Sequence, residues 1–361
     1  MQYFIGGRVM KGFLFKMGKG LGILLLIIIA IIITAAALRL IVRHNIYIHR
    51  EIKSQNGIDE ELAIEIGGIN QAIHIRGTDI NNPVILVLHG GPGSPMTALQ
   101  YKYQDEWEKN FTVVNWDQRN TGKTYFLNNT EEITATVSMD QALKDTLDMV
   151  MYLRESLHKD KIIILGHSYG SILGTLFVQS YPEYVSAYIG AGQQISFDEN
   201  KKVQYEQLLK RISEKDMKKL QSTKLNKAAI TYSELVNKYL NYAVNGNTTL
   251  YAMLSPYYTL DETKCYTLDT NVTQKGIMDY LGSKGFDASK LGTTYKIPVF
   301  YILGDHDYIV PYTIARNFFE NINAPYKDVV VIENAGHMMM LDQPEAFAKF
   351  LNESVLPYVK Q

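Results

Sequence analysis

Hydrophobic and polar positions change rhythm several times along these 361 residues, and each rhythm predicts an element. Residues Gly20–Leu38 carry no charged side chain and consist mainly of Leu, Ile and Ala. At about 1.5 Å of helical rise per residue, such a run spans a hydrocarbon core of about 30 Å. Apolar and polar residues alternate over Leu62–Ile66 and Ala72–Ile75 around Gly67-Gly68, which predicts an antiparallel hairpin. Apolar runs follow at Val84–Leu88, Phe111–Trp116, Ile162–Leu165, Val185–Ala191, Pro298–Leu303 and Asp328–Ile332. Near-continuous runs of this kind are expected of strands buried on both faces. Between them the period lengthens. Leu143, Leu147, Val150, Leu153 and Leu157 mark one face of a helix that begins at Ser138, with Gln141 at capping-box spacing. Ser171–Gln179 and Gln343–Leu351 also read as helices. Strands alternating with helices imply an α/β fold with a mostly parallel sheet.

This reading divides the chain into a basic N-terminal segment (1–19), a transmembrane anchor (20–42) and a polar juxtamembrane linker (43–61). The first part of a core (62–192), a helical cap (193–292) and the second part of the core (293–361) follow. The cap is rich in Lys, Glu, Asn and Tyr and holds few buried-strand signals, so it is expected to lie over the sheet rather than in it. For the apolar run, a retained anchor is preferred to a cleaved signal peptide, for which Ala35-Ala36-Ala37 offers a small-residue site. A buried helix is the third reading, and it would need protein on every side. Arg8, Lys11, Lys16 and Lys19 precede the run, whereas Arg39, Arg43, Arg50 and Lys53 follow it, so local charge does not orient it. A short basic N-terminus before a first span ordinarily stays inside, which predicts a single-pass protein with its folded part outside the cytoplasm.

The length accommodates one large domain with an insertion. A formal net charge of −1 and the lack of a basic array argue against a nucleic-acid partner. Cys265 is the only cysteine, which rules out an intramolecular disulfide and argues against a thiolate metal site.

The chemistry centres on Ile162–Ile172, IIILGHSYGSI. A G-x-S-x-G between a strand and a helix predicts a sharp, strained turn that exposes Ser168 above the sheet. A serine hydroxyl needs a base to take its proton and a third group to orient that base. Where the chain order is Ser, acid, His, only His306 and His337 can be the base, because only they follow Ser168. His337 stands just beyond the last predicted strand, at its C-terminal end, where sites in parallel sheets gather, and it is preferred. Asp307 is the preferred acid, a few residues past the Val299–Leu303 run; Asp305 is its rival and Glu333 a remote third. The oxyanion hole is expected from the backbone N–H of Tyr169 and that of Gly91, with Gly90 as the alternative. His89 and His167 read as packing residues.

His89–Gly93 (HGGPG), Trp116–Gly122 (WDQRNTG), Gly166–Gly170 (GHSYG), Gly304–Asp307 (GDHD) and Gly336-His337 stand in one order. In this the chain resembles α/β hydrolases of the proline iminopeptidase type, peptidase family S33, over roughly residues 60–355. The resemblance implies an eight-stranded sheet, a helical cap between the sixth and seventh strands, and a serine mechanism without metal or other cofactor. It also implies cap carboxylates that hold the substrate's free amino group, for which Glu199, Glu206 and Glu234 are the candidates. Asn120 stands where the family usually has Gly; Asn tolerates positive φ better than most residues. Asp117 and Arg119 are expected to brace loops. The cap tyrosines Tyr232, Tyr239, Tyr242, Tyr251, Tyr257 and Tyr258 either line a cleft or pack cap on core. The expected activity is aminopeptidase action on short peptides. Ester or lipid hydrolysis by the same machinery, and a non-catalytic binding role, are the alternatives.

Overall fold

The computed structural model describes residues 3–128, 130–223, 225–243 and 247–359. The chain divides into two compact units, Met1–Glu51 and Ile52–Gln361. The first is a single helix, α1 (Tyr3–His49). Its part Lys19–His49 is long and apolar enough to be a membrane span or a signal sequence. None of that apolar window is buried by protein, contrary to the buried-helix reading. The expected linker is shorter than 43–61. Residues 39–49 contain no Gly or Pro to stop the helix, which continues to His49.

The second unit opens with β1 (Ile58–Ile66) and β2 (Ile69–Gly77), paired antiparallel with Ile66 opposite Ile69. Gly67 and Gly68 both take positive φ, 57° and 77°, as a two-residue hairpin turn requires. β1 starts four residues before the alternation suggested, because its polar end has partners on β2. Asp59 bonds His74 Nε2 at 2.8 Å and pairs with Arg76. Only residues 50–57 are left between α1 and β1.

The strands β3 (Val84–Leu88), β4 (Thr112–Asp117), β5 (Ile162–His167), β6 (Val185–Ala191), β7 (Val299–Gly304) and β8 (Lys327–Ile332) complete an eight-stranded sheet of order β1-β2-β4-β3-β5-β6-β7-β8. β2 meets β4 antiparallel, and the remaining pairs are parallel. The order reverses at β3, which has β4 on one side and β5 on the other. Loops leaving the C-terminal ends of β3 and β5 therefore diverge there and open a crevice, the usual ligand position in such sheets.

β5 explains why an unbroken apolar run makes a central strand. Ile162 and Ile164 pack on one face with the helices α2 (Met139–Ser156) and α3 (Tyr169–Ser180). Ile163 and Leu165 pack on the other with Trp107, Phe347 and Phe350. Ile162, Ile163, Ile164 and Leu165 are each at most 1 % exposed, and burying such a side chain is worth about 2 kcal/mol. Ser138 caps α2 as expected, accepting from Gln141 N at 3.1 Å. The reciprocal half of a capping box is not made, because the Gln141 side chain turns to Asp145 instead.

The helical insertion lies between β6 and β7. It includes α4 (Phe197–Leu209), α5 (Glu214–Ser222), α6 (Leu225–Leu240), α7 (Thr248–Leu254) and α8 (Lys275–Lys284). Leu208, Leu235, Val236 and Leu240 give it a small core of its own. After β7 come α9 (Tyr312–Glu320), then β8, then α10 (Pro344–Phe350).

Candidate active site

The turn between β5 and α3 is as tight as the glycine spacing implies. A Cβ at Gly170 would overlap the Leu88 carbonyl, and one at Gly166 would overlap the Gly170 carbonyl. Ser168, at the apex, has φ 54° and ψ −118°. A side chain in that region is strained, and surrounding structure has to hold it there. Ser168 N donates to Ala191 O at 3.1 Å, and Ser171 Oγ donates to Ser168 O at 2.6 Å.

His337 Nε2 lies 2.9 Å from Ser168 Oγ, and its Nδ1 lies 2.8 Å from Asp307 Oδ2. With Nδ1–H donated to the carboxylate, Nε2 is left to accept the serine proton. Asp307 is 1 % exposed. Its other oxygen accepts the N–H groups of Ile309 at 3.0 Å and Val310 at 2.8 Å, which fixes the carboxylate plane. Asp305 faces elsewhere: it bonds His306 Nδ1 at 2.6 Å and accepts Ala335 N at 3.1 Å. Burial pushes its carboxyl up, but His306 and the Ala335 and Asn334 N–H groups outweigh this and leave it below its usual value. Among the described residues Glu333 makes no hydrogen bond to His337, whose ring bonds Asp307 and Ser168.

The loop that carries His337 is held from several sides. Asp342 accepts Gly336 N at 2.9 Å, and His167 Nε2 donates to His337 O at 2.8 Å. Burial first, and the neighbouring His337 second, hold His167 down to about 3, so it is neutral near pH 7. The backbone carbonyl of Tyr242, from the insertion, sits so close to Gly336 that a Cβ there would overlap it. The Tyr242 ring stacks on His306 with centroids 4.4 Å apart.

Gly91 has φ 110°, open to glycine, and is joined to Pro92 by a cis peptide. Gly91, Ser168 and Tyr169 share the wall of a cavity of about 600 Å³. His89 is packing: buried, bonded to Gly90 O at 2.9 Å and Thr121 Oγ1 at 3.2 Å, and lowered by burial to about 4. Asn120 takes φ 60°, the conformation its place in the turn calls for. Arg119 clasps Asp145 at 2.7 and 3.0 Å and donates to Gly67 O at 2.7 Å, tying the β4 loop to α2 and the hairpin. Asp117 gathers Thr97 Oγ1 at 2.5 Å, Lys123 N at 2.8 Å and the Tyr258 hydroxyl. Burial raises its carboxyl to about 6 despite those donors.

The cap carboxylates need correction. Glu199, Glu206 and Glu234 are all exposed, and none lines the cavity. Glu234 pairs with Lys219 at 3.2 Å instead. The reason is helix phase. α4 turns Phe197, Asp198, Lys201 and Gln204 to the cavity, and α6 turns Tyr232, Ser233, Val236 and Asn237 to it. Both helices carry polar residues on more than one face, so the sequence holds no signal for which face is inward. The tyrosines divide by role. Tyr232 lines the cavity, Tyr257 and Tyr258 are buried in the core, and Tyr239 bonds Ser213 and Asp216.

Relatives agree with this architecture. "Probable aminopeptidase YbaC" of Bacillus subtilis (strain 168) is 29 % identical over 304 residues, which is 80 % of this chain and 94 % of that protein. "Proline iminopeptidase" of Saccharolobus solfataricus is 22 % identical over 315 residues, 82 % of this chain and 92 % of the relative. Among solved structures, a proline iminopeptidase of Mycobacterium smegmatis superposes with a TM-score of 0.62 at 15 % identity, over 83 % of this chain and 98 % of that one. A family profile described as the alpha/beta hydrolase fold matches residues 83–344. With that match over most of its length, an eight-stranded mostly parallel sheet and relatives of the proline iminopeptidase type, the chain belongs to the alpha/beta hydrolase family.

Proposed function

We propose that this hydrolase is a serine aminopeptidase that releases N-terminal residues from short peptides through an acyl-enzyme. The observation that carries the reading is the unbroken hydrogen-bonded relay Ser168–His337–Asp307, whose serine lines the cavity. Ser168 Oγ attacks the carbonyl carbon while His337 Nε2 takes its proton. Asp307 holds the imidazole in the required tautomer and stabilises the imidazolium. The N–H groups of Tyr169 and Gly91 receive the developing oxyanion. His337 then gives its proton to the leaving amine, and water resolves the acyl-enzyme by the reverse steps. Asp198, the carboxylate lining the cavity among the described residues, takes the role expected of the three glutamates and holds the substrate's ammonium.

Ester hydrolysis is the second reading, favoured by one feature: Ile172, Phe197, Val236, Met278, Leu281 and Ile309 give the cavity an extended apolar wall. One experiment separates the two. A fluorophosphonate probe is expected to label the wild type and not Ser168→Ala, and Pro-arylamide is expected to be turned over faster than short-chain aryl esters. Labelling of the wild type no stronger than that of Ser168→Ala would remove both readings and leave a binding role. Ester turnover without arylamide turnover would remove the peptidase reading alone.

A further inference from the structure

Two side-chain amides on the cavity wall are unfinished. Gln194 follows β6, and Asn200 lies on α4; both line the cavity that holds Ser168. They are 3 % and 4 % exposed. Asn200 Nδ2 donates to Gln194 Oε1 at 2.7 Å. That bond uses one donor and one acceptor. Gln194 Nε2 and Asn200 Oδ1 remain without a partner among the described residues. Exchanging oxygen and nitrogen in both amides leaves the same result, one unpartnered donor and one unpartnered acceptor on adjoining amides. Buried polar groups are nearly always satisfied, so such a pair on a cavity wall points to a ligand that completes it.

The pair is also fixed relative to the nucleophile. Gln194 N donates to Ser171 Oγ at 2.9 Å, and Ser171 Oγ donates to Ser168 O at 2.6 Å. Gln193 Nε2 holds Gln194 O at 3.0 Å. A donor and an acceptor on two amides joined by a 2.7 Å bond match one residue of an extended peptide, whose own N–H and C=O point to the same side. In a substrate cut after its first residue, the first carbonyl goes to the oxyanion donors and the scissile N–H faces His337. The third residue is then the first that can offer both of its groups.

We propose that Gln194 and Asn200 form a subsite that grips the third residue of an extended peptide by its N–H and C=O, and so selects peptides of three or more residues. The inference rests on the peptidase reading above. The test measures how far Pro-Ala-Ala amide slows fluorophosphonate labelling of the full chain. It is compared with the analogue in which an ester oxygen replaces the third residue's N–H. The wild type is expected to be protected at a concentration at least about tenfold lower by the amide than by the ester analogue. Asn200→Leu and Gln194→Met, each checked for fold by thermal melting, are expected to close that gap. Equal protection of the wild type by both compounds would overturn the subsite, as would a gap that survives in both variants. Protection by neither, with labelling intact, would instead remove the peptide reading and the subsite with it.

Discussion

At the scale of single residues, the two aspartates of the β7 loop are separated by what they touch. Asp307 meets His337 Nδ1, while Asp305 secures Ala335 and His306. Asp307→Asn is expected to lower kcat by about 10³- to 10⁴-fold with the melting transition retained, because the imidazole is then held in the wrong tautomer. Near-normal turnover in that variant would transfer the role to Asp305. Asp117 makes a prediction about stability. Its folded value, raised by burial to about 6, lies above the ordinary carboxylate value of 3.8. The folded state therefore holds more protons than the unfolded one between about pH 4 and 6, and stability through this group falls as pH rises across that window. Melting of the wild type against Asp117→Asn from pH 4 to 7 should show the wild type losing ground up to about pH 6 and then a constant difference. His167 works in the opposite sense. Lowered to about 3, it contributes stability that is present above about pH 6.5 and lost as pH falls.

Elements differ in how openly the sequence announces them. Val84–Leu88 coincides with β3 residue for residue, since a strand buried on both faces has no polar position to blur its ends, and Val185–Ala191 coincides with β6, where only Ser186 interrupts the buried run. The elbow was equally legible, because its glycines have a steric reason to be there. Gly170→Ala, pressed against the Leu88 carbonyl, is expected to cost about 3 kcal/mol or more. Gly68 has open space around its Cβ position and only its φ to satisfy, so Gly68→Ala should cost about 1 kcal/mol. Chemical denaturation of the two variants measures both, and equal losses would contradict the steric account of the elbow. The insertion was legible only as helical. Which faces of α4 and α6 look inward depends on packing against a cavity, and nothing but residue type marks Glu199, Glu206 and Glu234 in the sequence. Gln194 and Asn200 were invisible for a related reason: an amide side chain in a polar stretch has no distinguishing pattern until its neighbours are known.

At the scale of the whole molecule, the N-terminal helix is long and apolar enough to be a membrane span or a signal sequence. We propose that it is retained as an anchor and that the hydrolase unit lies outside the cytoplasm. The full chain is then expected in the membrane fraction with α1 intact by N-terminal sequencing, and the hydrolase unit should be open to protease on intact cells. A mature N-terminus just after Ala37 would replace the anchor with a cleaved signal, and protection from protease would reverse the orientation. A chain beginning at Ile52, the start of the second compact unit, is expected to be soluble and to keep fluorophosphonate labelling.

The contact between Tyr242 and Gly336 limits how this enzyme can be rebuilt. Helical insertions in such folds invite exchange as modules, to change what the cavity admits. Here the Tyr242 backbone is fitted against the residue immediately before His337, and its ring lies on His306. A transplanted insertion that lacks this seam would leave the loop that carries His337 without one of its supports. A chimaera would then report a lost catalyst where the designer meant to test a new specificity, so the exchange boundary has to be drawn to keep Tyr242 with the host.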